Sequence, residues 1–137
     1  MKFEELKVGM TAQTSKTITD ADVVMFAGVS TDCNPLHLSD EAAKQGIFGR
    51  RVAHGILVTG LISAVLGTKL PGDGTVYMGQ TLKFKKPVFI GDTVTAKVTV
   101  KELIPEKNRV ILDTICTVNR DGQEVVVIEG EATTYNK

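Results

Sequence analysis

Two side chains that can move protons, Asp32 and His37, stand five positions apart in the stretch Ser30-Thr31-Asp32-Cys33-Asn34-Pro35-Leu36-His37. An Asp and a His brought together can hold a water molecule and share the work of moving its proton. Their spacing alone does not bring them together. On a helix, at about 100° per residue, the two side chains diverge by roughly 140°. On a strand an odd separation sends them to opposite faces. They converge only if the chain between them turns. Asn34-Pro35 supplies that turn, because Pro fixes φ and pushes the residue before it out of the α region. Taken alone, Asp-x-Asn-Pro is also a common turn in which Asp and Asn bond their own backbone. Cys33 lies between the two residues with no base dedicated to it, and reads as a packed thiol.

The flanking sequence supplies the elements that must position this loop. A strand is expected over Thr11 to Ile18. Thr19-Asp20-Ala21-Asp22 has capping-box spacing and opens a helix to about Gly28, with Val23, Val24, Phe26 and Ala27 on its apolar side. Ser39 reads as the N-cap of a second, short helix, with Asp40 and Glu41 in its first turn and Gly46 as a stop. His54-Gly55 then leads into Ile56-Leu57-Val58-Thr59-Gly60-Leu61-Ile62-Ser63-Ala64-Val65-Leu66-Gly67. Its apolar residues cover nearly the whole circumference, which predicts a buried helix ended by Gly67 and Pro71-Gly72. Beyond it, Val94, Ala96, Val98 and Val100 alternate with Thr95, Lys97, Thr99 and Lys101, the pattern of a half-exposed strand. Strands are also expected over Arg109 to Val118 and Gln123 to Thr134, joined by an Asn119-Arg120-Asp121-Gly122 hairpin. Thr75 to Phe84 adds one or two more. The order predicts a single α+β domain over 1–137, an antiparallel sheet wrapped around a central helix.

Composition narrows the classes of function. The chain has 137 residues, with 16 Lys plus Arg against 16 Asp plus Glu. A formal net charge of zero speaks against nucleic acid or an anionic membrane as the main partner. The run Ile56 to Leu66 is too short to span a bilayer, which takes about 20 residues. Met1 is followed by charged, amphipathic sequence rather than an apolar signal region, and the two cysteines have no metal or redox spacing. A cytoplasmic, reduced, soluble protein is expected.

The segment from Phe26 to His37, with Asp32-Cys33-Asn34-Pro35-Leu36-His37 at its centre and Ala43 beyond, resembles the signature of the MaoC-like (R)-specific enoyl-CoA hydratases. "VAHGILVTGLIS" and "GQTLKFKKPVFIGDTV" are similar to that family as well, so the resemblance covers nearly the whole chain. It implies a hot-dog fold and a homodimer with sites at the subunit boundary. It implies a catalytic Asp–His pair at Asp32 and His37, an oxyanion donor at the Gly55 amide and a supporting hydroxyl at Ser63. The activity implied is hydration of trans-2-enoyl-CoA to (R)-3-hydroxyacyl-CoA, and the reverse dehydration. Coenzyme A is then part of the substrate and no separate cofactor is required. The chain departs from the common pattern at Thr31, where many members have Gly.

The residue types suit that reaction. Water must lose a proton as it attacks Cβ, Cα must gain one, and the thioester oxygen must be stabilised as it becomes enolate-like. Asp32 is assigned to orient and activate the water, with His37 as its partner. Both stand on one loop, so addition on one face of the substrate is expected. Gly55 begins the apolar helix, where backbone N–H groups lack partners and the dipole is positive. Losing one donor of that kind costs roughly 3–4 kcal/mol. Ser63 lies eight residues on, about 80° around the axis, and could reach the pair. Asn34 reads as shaping the loop.

Other readings stand beside these. His54 caps or packs, or supports the site. Ser63 could simply bond back to its own helix. Lys83, Lys85 and Lys86 form a solvated strand face or meet the phosphates of coenzyme A. Asp32, His37 and His54 could in principle form a two-His-one-carboxylate metal triad, but the spacing matches no familiar ligand motif, and no metal is expected. Two rival functions use the same fold: an acyl-CoA thioesterase, and a non-catalytic module binding acyl-CoA or an acyl carrier. The pathway served stays open among polyhydroxyalkanoate precursor supply, fatty acid metabolism and a dedicated catabolic route.

Overall fold

The computed structural model describes residues 1–137. Strand β1 (Thr11–Thr17) leads into α1 (Asp20–Ser30), then the short turns of helix α2 (Pro35–Leu38) and α3 (Asp40–Lys44), then the long α4 (Gly55–Thr68). Four strands complete the chain: β2 (Val76–Phe84), β3 (Thr93–Ile104), β4 (Arg109–Arg120) and β5 (Gln123–Tyr135). All pairings are antiparallel in one five-stranded sheet of order β1-β3-β4-β5-β2. The α4 helix lies on one face of that sheet, which is the hot-dog architecture.

Alternation in the sequence sets which face of the sheet meets the helix. Val94, Ala96, Val98 and Val100 of β3 are buried, as are Val110, Leu112 and Cys116 of β4. They pack with Val58, Ile62, Val65 and Leu66 of α4 in one apolar cluster. The opposite face carries hydroxyls at one end of the β1–β3 ladder: Ser15 Oγ bonds Thr95 Oγ1 at 2.7 Å and Thr17 Oγ1 bonds Thr93 Oγ1 at 2.6 Å. Burial pushes the Cys116 thiol up to about 12, so it is an inert core residue.

The local signals place most elements. Thr19 and Asp22 form the reciprocal capping box, with Asp22 N–H donating to Thr19 Oγ1 at 3.1 Å and Thr19 N–H donating to Asp22 Oδ2 at 2.9 Å. The Thr19 amide first, and then the Lys16 ammonium, hold the Asp22 carboxyl below its ordinary range. Asp121 and Gly122 both have positive φ, 51° and 78°, as a two-residue hairpin turn requires.

The helix reading changes in two respects. Gly67 does not end α4, which runs on to Thr68 and is capped at Lys69. Only one side of α4 is covered within the chain, since Ile56, Gly60, Ser63 and Ala64 are exposed. A single sheet can bury one stripe of a helix, and an all-round apolar pattern requires a second cover. A Cβ at Gly60 would meet nothing within 4 Å, so Gly60 lies outside the filled core in this chain.

Candidate active site

Asp32 and His37 converge because α1 stops abruptly at Ser30 and α2 begins at Pro35, after four residues. Ser30 Oγ–H donates to Phe26 O at 2.7 Å and accepts the Asp32 N–H at 3.1 Å. Thr31 closes α1 in the left-handed region, φ 65° and ψ 8°. A β-branched residue is strained there by about 1 kcal/mol or more. Thr31→Gly, at a position where helices favour glycine, should therefore raise Tm by about 3 °C. A calorimetric Tm lower than wild type would contradict this account of the loop.

Asp32 Oδ1 accepts the Asn34 N–H at 3.2 Å, and Asn34 Oδ1 accepts the Leu36 N–H at 3.1 Å as the N-cap of α2. Asn34 thus shapes the loop, as its position in the turn indicated. His37 lies within α2 and is buried. Its Nδ1 is 2.7 Å from Val52 O. A carbonyl only accepts, so Nδ1 carries the hydrogen, and in the neutral ring Nε2 is the atom left for chemistry. Arg51 ties the back of the loop down, donating from Nε to His37 O at 2.7 Å and pairing with Asp20 at 2.6 Å.

His54 completes the cluster. It immediately precedes α4 but makes no capping bond. Its Nε2 lies 2.9 Å from Asp32 O, and its ring stacks on His37 with centroids 3.9 Å apart and planes 29° from parallel. One carboxylate oxygen of Asp32 and one nitrogen of each histidine lie within 4.8 Å of one another. A single water bonded to two such groups at about 2.8 Å spans roughly 4.5 Å between them, so the carboxylate and an imidazole can share one.

The same three side chains could each offer one ligand atom to a cation, but each histidine already spends one ring nitrogen on a backbone carbonyl, His37 Nδ1 on Val52 and His54 Nε2 on Asp32.

A groove of about 360 Å³ opens beside His37, lined by His37 and Gly55 with a mainly apolar wall that includes Phe48, Ile56, Val88 and Ile128, while Asp32 is exposed and does not line it. The first helical bond of α4 runs from Val58 N–H to His54 O at 3.3 Å. The amides of Gly55 to Leu57 stand outside the helix's own ladder, at its positive end. A Cβ at Gly55 would sit 2.6 Å from Phe84 Cδ1, so a larger residue here would push the Phe84 ring aside. Phe84, at the end of β2, therefore lies directly on the helix start while remaining half exposed.

The remaining sequence candidates divide. Lys85 lines the groove and pairs with Glu129 at 3.4 Å, and Lys86 lines it too. Lys83 does not. It lies in a separate depression of about 580 Å³ with Asp113, Glu129 and Glu131. Ser63 is exposed on the open side of α4 and, within this chain, is not hydrogen-bonded to either member of the pair. Cys33 is exposed, its Sγ 3.9 Å from Ala27 O. Sequence reasoning missed the Val52 carbonyl and Phe84. A backbone acceptor leaves no mark in the sequence, and Phe84 is marked only by its place between Lys83 and Lys85.

The family model described as a MaoC-like domain matches residues 3–123. The (R)-specific enoyl-CoA hydratase of Rhodospirillum rubrum is 54% identical over 131 residues, covering 96% of this chain and 88% of that protein. The 3-hydroxybutyryl-CoA dehydratase of Methylorubrum extorquens is 54% identical over 130 residues, covering 95% of this chain and 80% of the relative. Among solved structures, the (R)-hydratase of A. caviae superposes with a TM-score of 0.92 at 40% identity, covering 98% of this chain and 99% of that one. The chain belongs to the MaoC-like domain family.

Proposed function

We propose that this protein is a hydro-lyase that adds water to trans-2-enoyl-CoA to give (R)-3-hydroxyacyl-CoA, and runs the reverse dehydration. The observation that carries the reading is the convergence of the Asp32 carboxylate and the His37 imidazole within 4.8 Å. His37 stands in the same groove as the start of α4 at Gly55. The reading also has the support of two relatives above half identity that carry hydratase and dehydratase names.

The groups divide the work as follows. Asp32 accepts a hydrogen bond from the water and orients it. His37 Nε2 takes the proton as the oxygen attacks Cβ, and returns it to Cα. The water's oxygen and one hydrogen end on Cβ and its other hydrogen on Cα, so nothing is left over. As Cα gains electron density, the thioester oxygen turns toward an enolate, and the Gly55 amide at the positive helix end stabilises it. Lys85 and Lys86, at the groove, offer ammonium groups to the phosphates of coenzyme A. The substrate brings its own coenzyme A and no further cofactor enters the scheme.

A second copy of the chain is the proposed partner. Support comes from β2, the sheet edge with only β5 beside it, where Val76, Tyr77, Met78 and Phe84 are exposed. Edges of this kind invite pairing. Sedimentation at assay concentration should give twice the chain mass; an active monomer would contradict the dimer. No helix is long and apolar enough to cross a membrane. The cytoplasm is the compartment we propose.

Crotonyl-CoA tests the function. Loss of the conjugated enoyl absorbance without free thiol, with an (R) product on chiral analysis, is the expected result. Release of free thiol would make the protein a thioesterase. Binding without turnover would make it a carrier module. Either outcome overturns the proposal.

A further inference from the structure

We infer that His54 is a positioning residue that sets the separation of Asp32 and His37, rather than a cap or a packing residue. The inference rests on the acid–base role of that pair. His54 is 2% exposed and sits at the N-cap of α4, where an ordinary capping side chain would bond the first amides of the helix. It makes no such bond. Its contacts run the other way, to both members of the pair. The Nε2–H donates to the main-chain carbonyl of Asp32 at 2.9 Å. One face of the ring lies against His37, with centroids 3.9 Å apart, and Phe26 approaches at 4.8 Å.

Each member of the pair is otherwise held by contacts that do not reach the other. Asp32 is held by Ser30 and Asn34, its loop neighbours, and His37 by the Val52 carbonyl. His54 is the side chain that touches both. It joins the carbonyl behind the carboxylate to the flat face of the imidazole, so the distance between them follows from the dimensions of one rigid ring. A donor at Nε2 in the neutral ring also fixes Nδ1 as a bare acceptor, and that atom is buried without a hydrogen-bond partner. An unpaired buried acceptor costs stability. A residue retained only for packing would serve better as an aromatic hydrocarbon. A side chain that gives up stability at this point while touching both proton-handling residues has its value in their placement.

The experiment compares His54→Phe, His54→Gln and His54→Asn with wild type and with Asp32→Asn, measuring kcat and KM for crotonyl-CoA and Tm for each. Phe keeps the flat face, loses the N–H and removes the unpaired acceptor. Gln places an N–H close to the Nε2 position, and Asn reaches neither contact. The expected order of kcat is wild type, then Gln, then Phe and Asn. Phe should fall about 10- to 100-fold, since a misplacement of about 1 Å costs up to that much. KM should stay within about twofold. Tm of the Phe variant should equal or exceed wild type while its kcat falls, a decoupling that a packing role does not produce. Phe and Asn variants that turn over within about twofold of wild type would overturn the inference, as would losses that track Tm with Gln no better than Phe. If Phe does not fold, Asn carries the same test. An active Asp32→Asn would instead sink the acid–base reading beneath it, while an inactive Asp32→Asn beside a normal Phe variant would sink the His54 inference alone.

Discussion

Asp32→Asn should lower kcat for crotonyl-CoA hydration by about a thousandfold or more, with KM little changed and the fold intact. A positioned acid or base supplies about 10²–10⁴-fold, and in the proposed mechanism Asp32 carries part of that role while also orienting the water. The substitution is nearly isosteric. An amide oxygen can still accept the Asn34 N–H that Asp32 Oδ1 now accepts at 3.2 Å, so the loop keeps its bond. Ser30 and His54 grip the main chain of residue 32 and do not sense the change. What is lost is the negative charge facing the water, replaced on one side by an N–H pair that can only donate. A kcat within about tenfold of wild type would remove Asp32 from the reaction.

Gly130→Val should be the most damaging single change for stability away from the reacting groups. Gly130 of β5 pairs with Leu82 of β2 and with Thr114 of β4. A Cβ there would lie 2.7 Å from the Thr81 carbonyl carbon, closer still to its oxygen, and 3.3 Å from Gln80 Nε2. The first obstacle is backbone and cannot rotate away, so β2 must shift off the sheet. Its anchoring bonds go with it, among them Glu131 N–H to Thr81 Oγ1 at 3.0 Å and Gln80 Nε2 to Thr114 Oγ1 at 2.8 Å. Overpacking of this kind costs about 3 kcal/mol, near 10 °C in Tm for a domain of this size. The change also reaches function, because the end of β2 places Phe84 on the start of α4 and leads into the lysines at the groove. Calorimetry should show the drop, and a Tm within about 2 °C of wild type would contradict the register described for β5.

Local chemistry was legible in the sequence wherever one short segment carried it. The Thr19–Asp22 capping box, the turn at Asn34-Pro35 and the alternation in β3 each depend on neighbours a few residues apart, and each is found where expected. So was the Asp32–His37 pair, once the turn between them was read. Long-range packing was harder. His54 meets His37 from 17 residues away, across α3 and the loop after it, and no spacing rule forecasts two stacked imidazoles. The left-handed Thr31 breaks the residue preference for that conformation, so the sequence argued against the geometry it adopts. The apolar circumference of α4 reported how much surface is to be buried but not what buries it: the sheet takes Val58, Ile62, Val65 and Leu66, and the side bearing Ser63 stays open in one chain. Lys83 and Lys85 look equivalent in sequence. Their even spacing on a strand puts them on one face, yet the strand ends between them at Phe84, and only Lys85 turns into the groove.

The stereochemistry of hydration in D₂O tests the central claim most directly. In the proposed mechanism Asp32 and His37, which converge across the Asn34-Pro35 turn, share one water, so the hydroxyl at C3 and the new deuterium at C2 must arrive on the same face of the double bond. Proton NMR of 3-hydroxybutyryl-CoA formed from crotonyl-CoA should show syn addition alone. A product with hydroxyl and deuterium added from opposite faces would mean that the two protonic groups flank the substrate, and the pairing of Asp32 with His37 would be wrong.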